Sequence, residues 1–200
     1  MSPLARRSTH VAEKRRLGAA SLLDAAEALV AAGAPFGELS IDAIAKQAGF
    51  SRATFYAYFA DKRALALALG ERLAAELARG TEPWLRDGTG DVRGTLGELL
   101  RTFAAHQGAV RALVEGATYD EDVAALWRRV HEGFRVLARD RLLASNPRIT
   151  ADEADARAYV LVWSTERSIT EHLAWPTLAE DALLDALVHV WRGALGDETA

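Results

Sequence analysis

The residues best suited by type and spacing to do chemistry lie in one short segment, from Ser40 to Lys62. Arg52 has the forked guanidinium that can grip a guanine edge with two hydrogen bonds. Thr54 and the hydroxyl of Tyr56 can reach phosphates or bases. Lys62 opens a predicted helix, where free backbone N–H groups already favour phosphate. These residue types predict contacts with nucleic acid.

Two short predicted helices around a tight turn position these side chains. Ser40 and Ser51 are suited to cap the two helices, because a hydroxyl can accept from the free N–H groups of a first turn. Gly49 supplies a left-handed residue that ends the first helix. Phe55 and Phe59, four residues apart, face the same core. This is the pattern of a helix-turn-helix, whose second helix can lie in the major groove of DNA.

The outer face of the second helix carries small side chains. At 100° per residue, the face opposite Phe55 centres on Ala53 and Ala57. Thr54 and Tyr56 lie on its flanks. A helix meant for burial would carry large apolar residues there, whereas two alanines allow the backbone to approach a groove floor closely. The alternative is an ordinary surface helix, but the spacing, the caps and the face all favour DNA binding.

The charge distribution points to the same part of the chain. The net charge of −4 argues weakly against DNA binding. However, residues 1–72 contain ten Lys or Arg and seven Asp or Glu, a net charge of +3, whereas residues 73–200 contain fourteen and twenty-one, a net charge of −7. We therefore expect the DNA-facing end in the first third.

The first twelve residues are polar, include the pair Arg6 and Arg7, and are predicted to be disordered. Lys14, Arg15 and Arg16 extend this basic arm. Such an arm can reach along the phosphates or into the minor groove. A solvated tail without a partner is the alternative.

Composition favours an ordered cytoplasmic protein. Half of the 200 residues are apolar, enough for a sizeable core in one compact unit or two small ones. The absence of Cys excludes disulfides, a thiolate nucleophile and Cys-based metal sites. Neither a secretion signal nor a run of eighteen apolar residues occurs, so we expect no membrane association.

Nothing in the sequence asks for catalysis. The five His residues are scattered, and none follows a Glu by three positions as in the di-iron signature. His-Glu-x-x-His, P-loop and Gly-x-Gly-x-x-Gly motifs are absent, and so is a Gly-x-Ser-x-Gly elbow. We expect no catalytic residue, no metal and no cofactor.

The remaining pattern is helical throughout, without strand-like alternation, so an all-α fold is predicted. Besides the two short helices, predicted helices span about 13–32, 61–79, 92–106, 109–118, 120–144, 151–175 and 178–195. Asn146-Pro147 and Trp175-Pro176 break the last three apart. The segment from Gly80 to Gly94 holds four Gly and one Pro and is the clearest internal boundary. We therefore predict two domains, 1–79 and 80–200.

Aromatic residues recur in the second domain. They come from four predicted helices: Phe103, Trp127, Phe134, Trp163 and Trp191. The polar pair Thr165 and Glu166 interrupts an otherwise apolar helix, which indicates a cavity with a few hydrogen-bonding groups, as in small-molecule sites. The alternative is that the aromatics fill the core and that His131 is a satisfied core or surface histidine.

The segment Leu39 to Leu69, with its Ser-Arg-x-Thr-Phe-Tyr-x-Tyr-Phe-x-x-Lys core, resembles the DNA-binding domain of the TetR family of transcriptional regulators. The resemblance implies a three-helix DNA-binding domain. It assigns DNA-facing positions to Ser40, Ser51, Arg52, Ala53, Thr54, Tyr56, Tyr58 and Lys62. The position after Arg52 is often proline in the family and is alanine here.

From His106 to Leu195 the chain resembles the ethionamide-monooxygenase repressor subgroup of the same family. The similar stretches are Glu121–Trp127, Thr165–Arg167 and Leu184–Trp191. The resemblance implies a helical-bundle domain for ligand binding and dimerisation. Its pocket-lining positions would be Leu99, Phe103, Trp127, His131, Phe134, Val162, Thr165, Glu166, Thr170 and Trp191. Val162 and Thr165 stand where amides are expected, and Thr170 where an aromatic is expected, so the ligand need not be the same.

By the same resemblance, the last two helices pair across a two-fold axis. They offer abundant apolar surface: Val160, Trp163, Leu173, Leu183, Leu184, Leu187 and Val188. We therefore expect a homodimeric repressor that binds a near-palindromic double-stranded operator and is released by a small, largely apolar effector. The alternatives are a transcriptional activator with the same DNA-binding domain and a helical-bundle enzyme with the same fold.

Overall fold

The computed structural model describes the backbone of residues 3–196 and the side chains of residues 13–196. Within these residues the fold is all-α, as predicted. The helices are α1 (Pro3–Ala31), a 3-10 turn (Phe36–Glu38), α2 (Ile41–Gln47), α3 (Arg52–Tyr58), α4 (Lys62–Asp87), α5 (Val92–Ala105), α6 (Gln107–Gly116), α7 (Glu121–Ser145), α8 (Ala151–Ala174) and α9 (Glu180–Leu195).

These helices form two compact units. The first, called the head, comprises the chain up to Arg72 together with Gln107–Leu126. The second, called the bundle, comprises Leu73–His106 together with the chain from Trp127 onwards. The two-domain division between residues 79 and 80, drawn at the segment from Gly80 to Gly94, stays a prediction.

The helix-turn-helix in the head forms through the predicted local signals. The Ser40 and Ser51 hydroxyls accept from the first turns of α2 and α3. Gly49 has φ of +75°, the left-handed conformation that lets the chain turn. Phe55 is fully buried and Phe59 nearly so, with ring centroids 5.8 Å apart. These contacts fix the orientation of α3 on the head core.

Helix α6 crosses α1 at close range in the head. A Cβ atom built on Gly108 would lie 2.0 Å from the Glu27 carbonyl oxygen, so only glycine permits this crossing. The Arg72 guanidinium of α4 pairs with Asp24 and Glu27 of α1. The crossing and the ion pairs hold α1, α4 and α6 together.

The bundle core is built on amphipathic helices. Helix α9 buries a stripe at helical spacing that includes Leu183, Leu187 and Trp191, and it packs against α5 and α8. Helix α8 begins with a capping box, in which Thr150 accepts from the Glu153 N–H and the Glu153 carboxylate accepts from the Thr150 N–H.

Two helix boundaries differ from the sequence prediction. Helix α1 begins at Pro3, not near Glu13, so the backbone after residue 2 is not disordered as predicted. Proline is favoured in a first helical turn, and good helix formers follow it. The side chains of Arg6 and Arg7, for which a DNA-reaching arm and a solvated tail were the two alternatives, lie outside the described residues.

Helix α4 does not end at Arg79 but continues through Gly80 and Pro83 to Asp87. Its extension buries Thr81, Trp84 and Leu85, which continue the buried face of Leu77. This burial outweighs the local cost of the glycine and the proline. The predicted boundary loop is therefore helical in its first half. No helix in residues 3–196 combines the length and apolar character needed to cross a membrane.

Candidate nucleic-acid interface and ligand cavity

Helix α3 presents the small-residue face that its sequence predicts. Ala53 and Ala57 are exposed, while Phe55 on the opposite face is fully buried. At the N-terminus the Ser51 hydroxyl accepts from the Thr54 N–H at 3.1 Å and shares a second hydrogen bond with the Thr54 hydroxyl. This rigid first turn fixes the direction of the residues around Arg52.

The Arg52 guanidinium lies on the exposed surface between α2 and α3. It donates to the Asp42 carboxylate at 3.0 Å and to the Tyr56 hydroxyl at 3.3 Å. Both hydrogen bonds raise the pKa of Arg52, and the one to Tyr56 has the larger effect. The Arg52 and Asp42 side chains are 58% and 62% exposed, and an ion pair so open to water contributes little stability. Arg52 can therefore exchange Asp42 for a base edge at small cost.

Two other predicted DNA-facing residues have roles inside the head. The Ser40 hydroxyl accepts from the Ala43 N–H as an N-cap. Tyr58 is only partly exposed, because its ring stacks on Phe50 with 6.1 Å between centroids. A Cβ atom on Gly18 would lie 2.2 Å from the Tyr58 hydroxyl, so the phenol lies directly against α1.

The Lys62 ammonium is turned inward, not toward an open surface. It donates to the carbonyl oxygens of Phe36, Gly37 and Leu39 at 3.0, 2.6 and 3.1 Å. Burial lowers the pKa of Lys62, and the Glu115 carboxylate opposes that shift. All three ammonium protons are thus engaged. The predicted phosphate contact through the ammonium conflicts with this geometry, although the backbone N–H groups at the start of α4 can still face a phosphate.

The same 3-10 turn is held from its other end by α6. The Glu115 carboxylate accepts from the N–H groups of Phe36 at 2.8 Å and Gly37 at 2.6 Å. An anion at the free N–H groups and a cation at the free carbonyls satisfy both ends of the turn. The segment that leads into α2 is therefore fixed by side chains from α4 and α6.

The bundle encloses an apolar cavity of about 70 Å³. Its lining comes from α4, α5, α7, α8 and α9: Leu77, Thr81, Trp84, Leu85, Thr95, Leu96, Leu99, Phe103, Trp127, Val130, His131, Phe134, Val162, Thr165, Glu166 and Trp191. Small-molecule sites usually offer about 300–1,000 Å³. A ligand of that size therefore requires the lining side chains to move apart.

A few polar groups stand in this apolar lining. The Trp191 indole N–H donates to the Thr165 hydroxyl at 2.9 Å in a buried hydrogen bond. The His131 Nδ1 lies 2.9 Å from the Trp127 carbonyl oxygen, and its Nε2 lies 3.8 Å from a Glu166 carboxylate oxygen. The His131 ring also stacks on Trp163 at 3.8 Å.

Nine of the ten pocket residues suggested by resemblance line this one cavity. Thr170 does not. It lies one helical turn beyond Glu166, and its hydroxyl donates to the Arg167 carbonyl of its own helix. Binding of a ligand by the nine stays a prediction.

The cavity residues of α4 were missed by sequence reasoning. Leu77, Thr81, Trp84 and Leu85 all lie in the stretch where the helix was predicted to end or had already ended. Their spacing of four, three and one residues places them on one helical face. That periodicity was the signal available, and it continues across Gly80 and Pro83.

The predicted dimer surface is only partly available. Leu183, Leu187 and Val188 are buried within the bundle, at 8%, 7% and 5% exposure, because this stripe of α9 packs inward. Val160, which belongs to the predicted set, is exposed, and the other exposed large apolar side chains in this region are Tyr159, Trp175, Leu178 and Val190.

Among the described residues, no group of three or more His, Asp or Glu side chains has the geometry to hold a metal ion. The titratable side chains that line the cavity are His131 and Glu166. The cavity therefore combines apolar contact with the hydrogen-bonding and charge capacity of these two side chains.

Comparison with known proteins agrees with this geometry. Residues 22–69 match the family described as bacterial regulatory proteins, tetR family. Residues 92–195 match the family described as transcriptional regulator EthR, C-terminal domain. The two matches contain the helix-turn-helix and most of the cavity lining.

Similar curated proteins include the HTH-type transcriptional regulator EthR of Mycobacterium tuberculosis, 31% identical over 169 residues, covering 78% of this chain and 77% of that protein. The EthR of Mycolicibacterium smegmatis is 26% identical over 169 residues, covering 80% and 78%.

Similar solved structures include a TetR-like transcriptional regulator from Rhodococcus sp. RHA1, with a TM-score of 0.69, 23% identity and coverage of 88% of this chain and 94% of that one. The fatty acid degradation regulator FadR from Bacillus halodurans has a TM-score of 0.68 at 16% identity, covering 90% and 96%. At these identities the likeness concerns the fold.

Proposed function

This chain belongs to the TetR family of transcriptional regulators. From that premise we propose that it is a homodimeric repressor of transcription. A small molecule, the effector, would bind in the cavity and release the repressor from its DNA operator. The exposed alanine face of α3 beside Arg52 is the observation that carries the DNA-binding half. The apolar cavity with its few polar groups supports the effector half. The relatives named above are themselves transcriptional regulators, which favours regulation over catalysis.

Recognition of DNA would rest on α3. Its two exposed alanines allow close approach to the groove floor, and the Arg52 guanidinium can replace Asp42 with a guanine edge. Thr54 and Tyr56 would contact phosphates or bases. The remaining Ser40, Ser51 and Tyr58 would act mainly by holding α2 and α3 in place, because their side chains are engaged within the head.

Dimerisation would use exposed apolar residues of the last two helices and the connection between them. Val160 is 61% exposed, Trp175 71% and Val190 50%. Such large apolar side chains, left open in one chain, are typical of an interface. A two-fold dimer would present two α3 helices about one DNA turn apart, ~34 Å, and so read a near-palindrome.

Release would follow from differential binding to two states. The present cavity of about 70 Å³ is smaller than the usual volume of small-molecule sites, about 300–1,000 Å³. An effector would therefore select a state with a wider cavity. If that state holds the heads at the wrong spacing, the effector lowers operator affinity. A 100-fold reduction requires a coupling free energy of about 2.7 kcal/mol.

The test is a footprint of the purified protein on the DNA flanking its own gene, at two salt concentrations. We expect a protected near-palindrome that overlaps a promoter. Protection upstream of the promoter would instead indicate an activator. If no DNA is protected at either salt concentration, the proposal that the protein represses its own gene is contradicted.

Variants at Arg52 and Asp42 separate base reading from structural pairing. Arg52→Ala should lower operator affinity by about 5- to 150-fold and relax specificity at one base pair. Asp42→Ala removes the same ion pair but leaves the guanidinium free, so it should keep or raise affinity. Titrations of both variants on the footprinted site would decide. Equal losses in the two variants would refute Arg52 as a base reader.

A further inference from the structure

Three side chains form a polar corner in the otherwise apolar cavity: His131, Thr165 and Glu166. Thr165 and Glu166 are neighbours on α8, and His131 faces them from α7. All three are largely buried, with His131 and Thr165 at 5% and 3% exposure. Some hydrogen-bonding atoms of this polar corner have no partner in the described part of the chain. Their type, donor or acceptor, indicates the chemistry of the effector.

The orientation of His131 is fixed on two sides. Its Nδ1 lies 2.9 Å from the Trp127 carbonyl oxygen, and a carbonyl can only accept, so this nitrogen carries a proton. Its ring stacks on Trp163, with the planes 9° apart. Rotation of the ring would break both contacts. The Nε2 atom is therefore held toward Glu166.

Glu166 is a carboxylate of intermediate burial that makes no hydrogen bond within the described residues. Its side chain is 13% exposed, and its contact with His131 Nε2, at 3.8 Å, is beyond hydrogen-bonding distance. A carboxylate held largely away from water is stabilised by any donor that reaches it. Glu166 therefore has both lone-pair capacity and an energetic reason to accept from a donor that enters the cavity.

The third member adds little donor capacity. The Thr165 hydroxyl accepts from Trp191 and keeps one proton to donate. The other two lining hydroxyls, of Thr81 and Thr95, already donate to the carbonyls of Leu77 and Asp91. The polar corner thus offers acceptors in excess of donors. The aromatic lining of the cavity, which includes Trp84, Phe103 and Trp127, also favours a cation over an anion, because ring faces carry partial negative charge.

We propose that the effector is a cationic amphiphile, whose ammonium or amidinium nitrogen donates to the Glu166 carboxylate beside His131 and whose apolar body fills the aromatic part of the cavity. This inference rests on the proposed function of the cavity as the effector site. It predicts discrimination against carboxylates of the same shape, since an anion beside Glu166 would be repelled and unpaired.

The experiment compares three probes that share a four-methylene phenylbutyl body and differ in the head group: 4-phenylbutylamine, 4-phenylbutan-1-ol and 5-phenylpentanoate. Binding is measured at pH 7 through the intrinsic fluorescence of the bundle, where all five tryptophans of the chain lie. We expect the amine to bind about tenfold to a hundredfold tighter than the alcohol, the gain of a charge-assisted hydrogen bond. The carboxylate should bind weakest.

Two variants of α8 show whether Glu166 causes the preference. Glu166→Gln keeps the size of the side chain and removes its charge, so the amine should fall to within about threefold of the alcohol. Glu171→Gln makes the same substitution at an exposed position on the same helix, where Glu171 pairs with Arg167. It should leave the preference unchanged. Far-ultraviolet circular dichroism of both variants checks that the helices are intact.

The outcomes separate the two proposals. Binding of all three probes without preference for the amine overturns the cationic-effector inference alone, and so does a preference that survives Glu166→Gln. If no probe with any head group binds, the cavity is not a small-molecule site, and the effector half of the proposed function fails with the inference.

Discussion

The Lys62 ammonium makes three hydrogen bonds to backbone carbonyls and so has no free proton to offer a phosphate. From sequence, a lysine at a helix start beside a recognition helix predicts a DNA contact. Its actual partners are three carbonyls from residues 23 to 26 positions earlier, a pairing that no local pattern encodes. By contrast, the caps at Ser40 and Ser51 were predictable because donor and acceptor lie three residues apart.

We predict that Lys62→Ala mainly destabilises the head. Loss of a cation that satisfies three carbonyls should lower the free energy of unfolding by about 1–3 kcal/mol. Lys46→Ala removes an equal charge from the exposed last turn of α2 and should leave stability unchanged. Denaturant unfolding of both variants measures this. Unchanged stability for Lys62→Ala, with a flatter salt dependence of operator binding, would restore the phosphate role.

Helix ends were predictable wherever a residue stops the chain locally. Gly49 ends the first helix of the helix-turn-helix, and the breaks at Pro147 and Pro176 separate α7, α8 and α9 within a few residues of their predicted limits. The end of α4 was not predictable in this way, because burial of Trp84 and Leu85 carries the helix through Pro83. A helix continues past a glycine or proline when the residues beyond it bury enough apolar surface to outweigh the local cost.

The capping box of α8 gives this helix a pH-dependent contribution to stability. Hydrogen bonds from the Thr150 N–H and hydroxyl lower the pKa of Glu153 below its ordinary value of 4.5. A lowered folded-state pKa means that the contribution is present above pH 4.5 and is lost as the pH falls through the lowered pKa. The cap should therefore stabilise at neutral pH and fail in acid.

Glu153→Gln should lower the melting temperature by roughly 2 °C at pH 6, and this difference should shrink as the pH falls below 4.5. Asp152→Asn removes a charge from the same turn without a capping hydrogen bond and serves as the control. Thermal melts between pH 3 and pH 6 test this. A deficit for Glu153→Gln that stays constant across that range would show that its charge is not what stabilises the cap.

The whole molecule is proposed to act as a dimer through apolar side chains that one chain leaves exposed. Of the apolar residues that the sequence offered for this surface, Leu183, Leu187 and Val188 pack into the bundle, whereas Val160 is exposed, and so is Val190, which the sequence did not single out. Apolar periodicity shows that a helix has a buried face. It does not show whether that face is covered by the same chain or by a second copy.

Val160→Glu should prevent dimerisation, because a two-fold interface would bury the new carboxylate in both chains without a partner. We expect dimer affinity to fall by at least about 100-fold, together with operator affinity. Val114→Glu places the same charge on α6, at a valine that is 39% exposed and far from α8 and α9 in sequence. Sedimentation velocity compares the two. A Val160→Glu protein that stays dimeric would move the interface elsewhere.

The two hydrogen bonds that the Glu115 carboxylate accepts from the 3-10 turn should affect amide hydrogen exchange. The amide protons of Phe36 and Gly37 precede the helix-turn-helix, yet their acceptor belongs to α6. A single residue, His106, separates α6 from the end of α5. Amides at the free end of such a turn would normally exchange quickly with solvent, and these two stay protected only while Glu115 keeps its place. Their exchange rates are thus a built-in, label-free report on the position of α6, readable with operator, with effector or with neither.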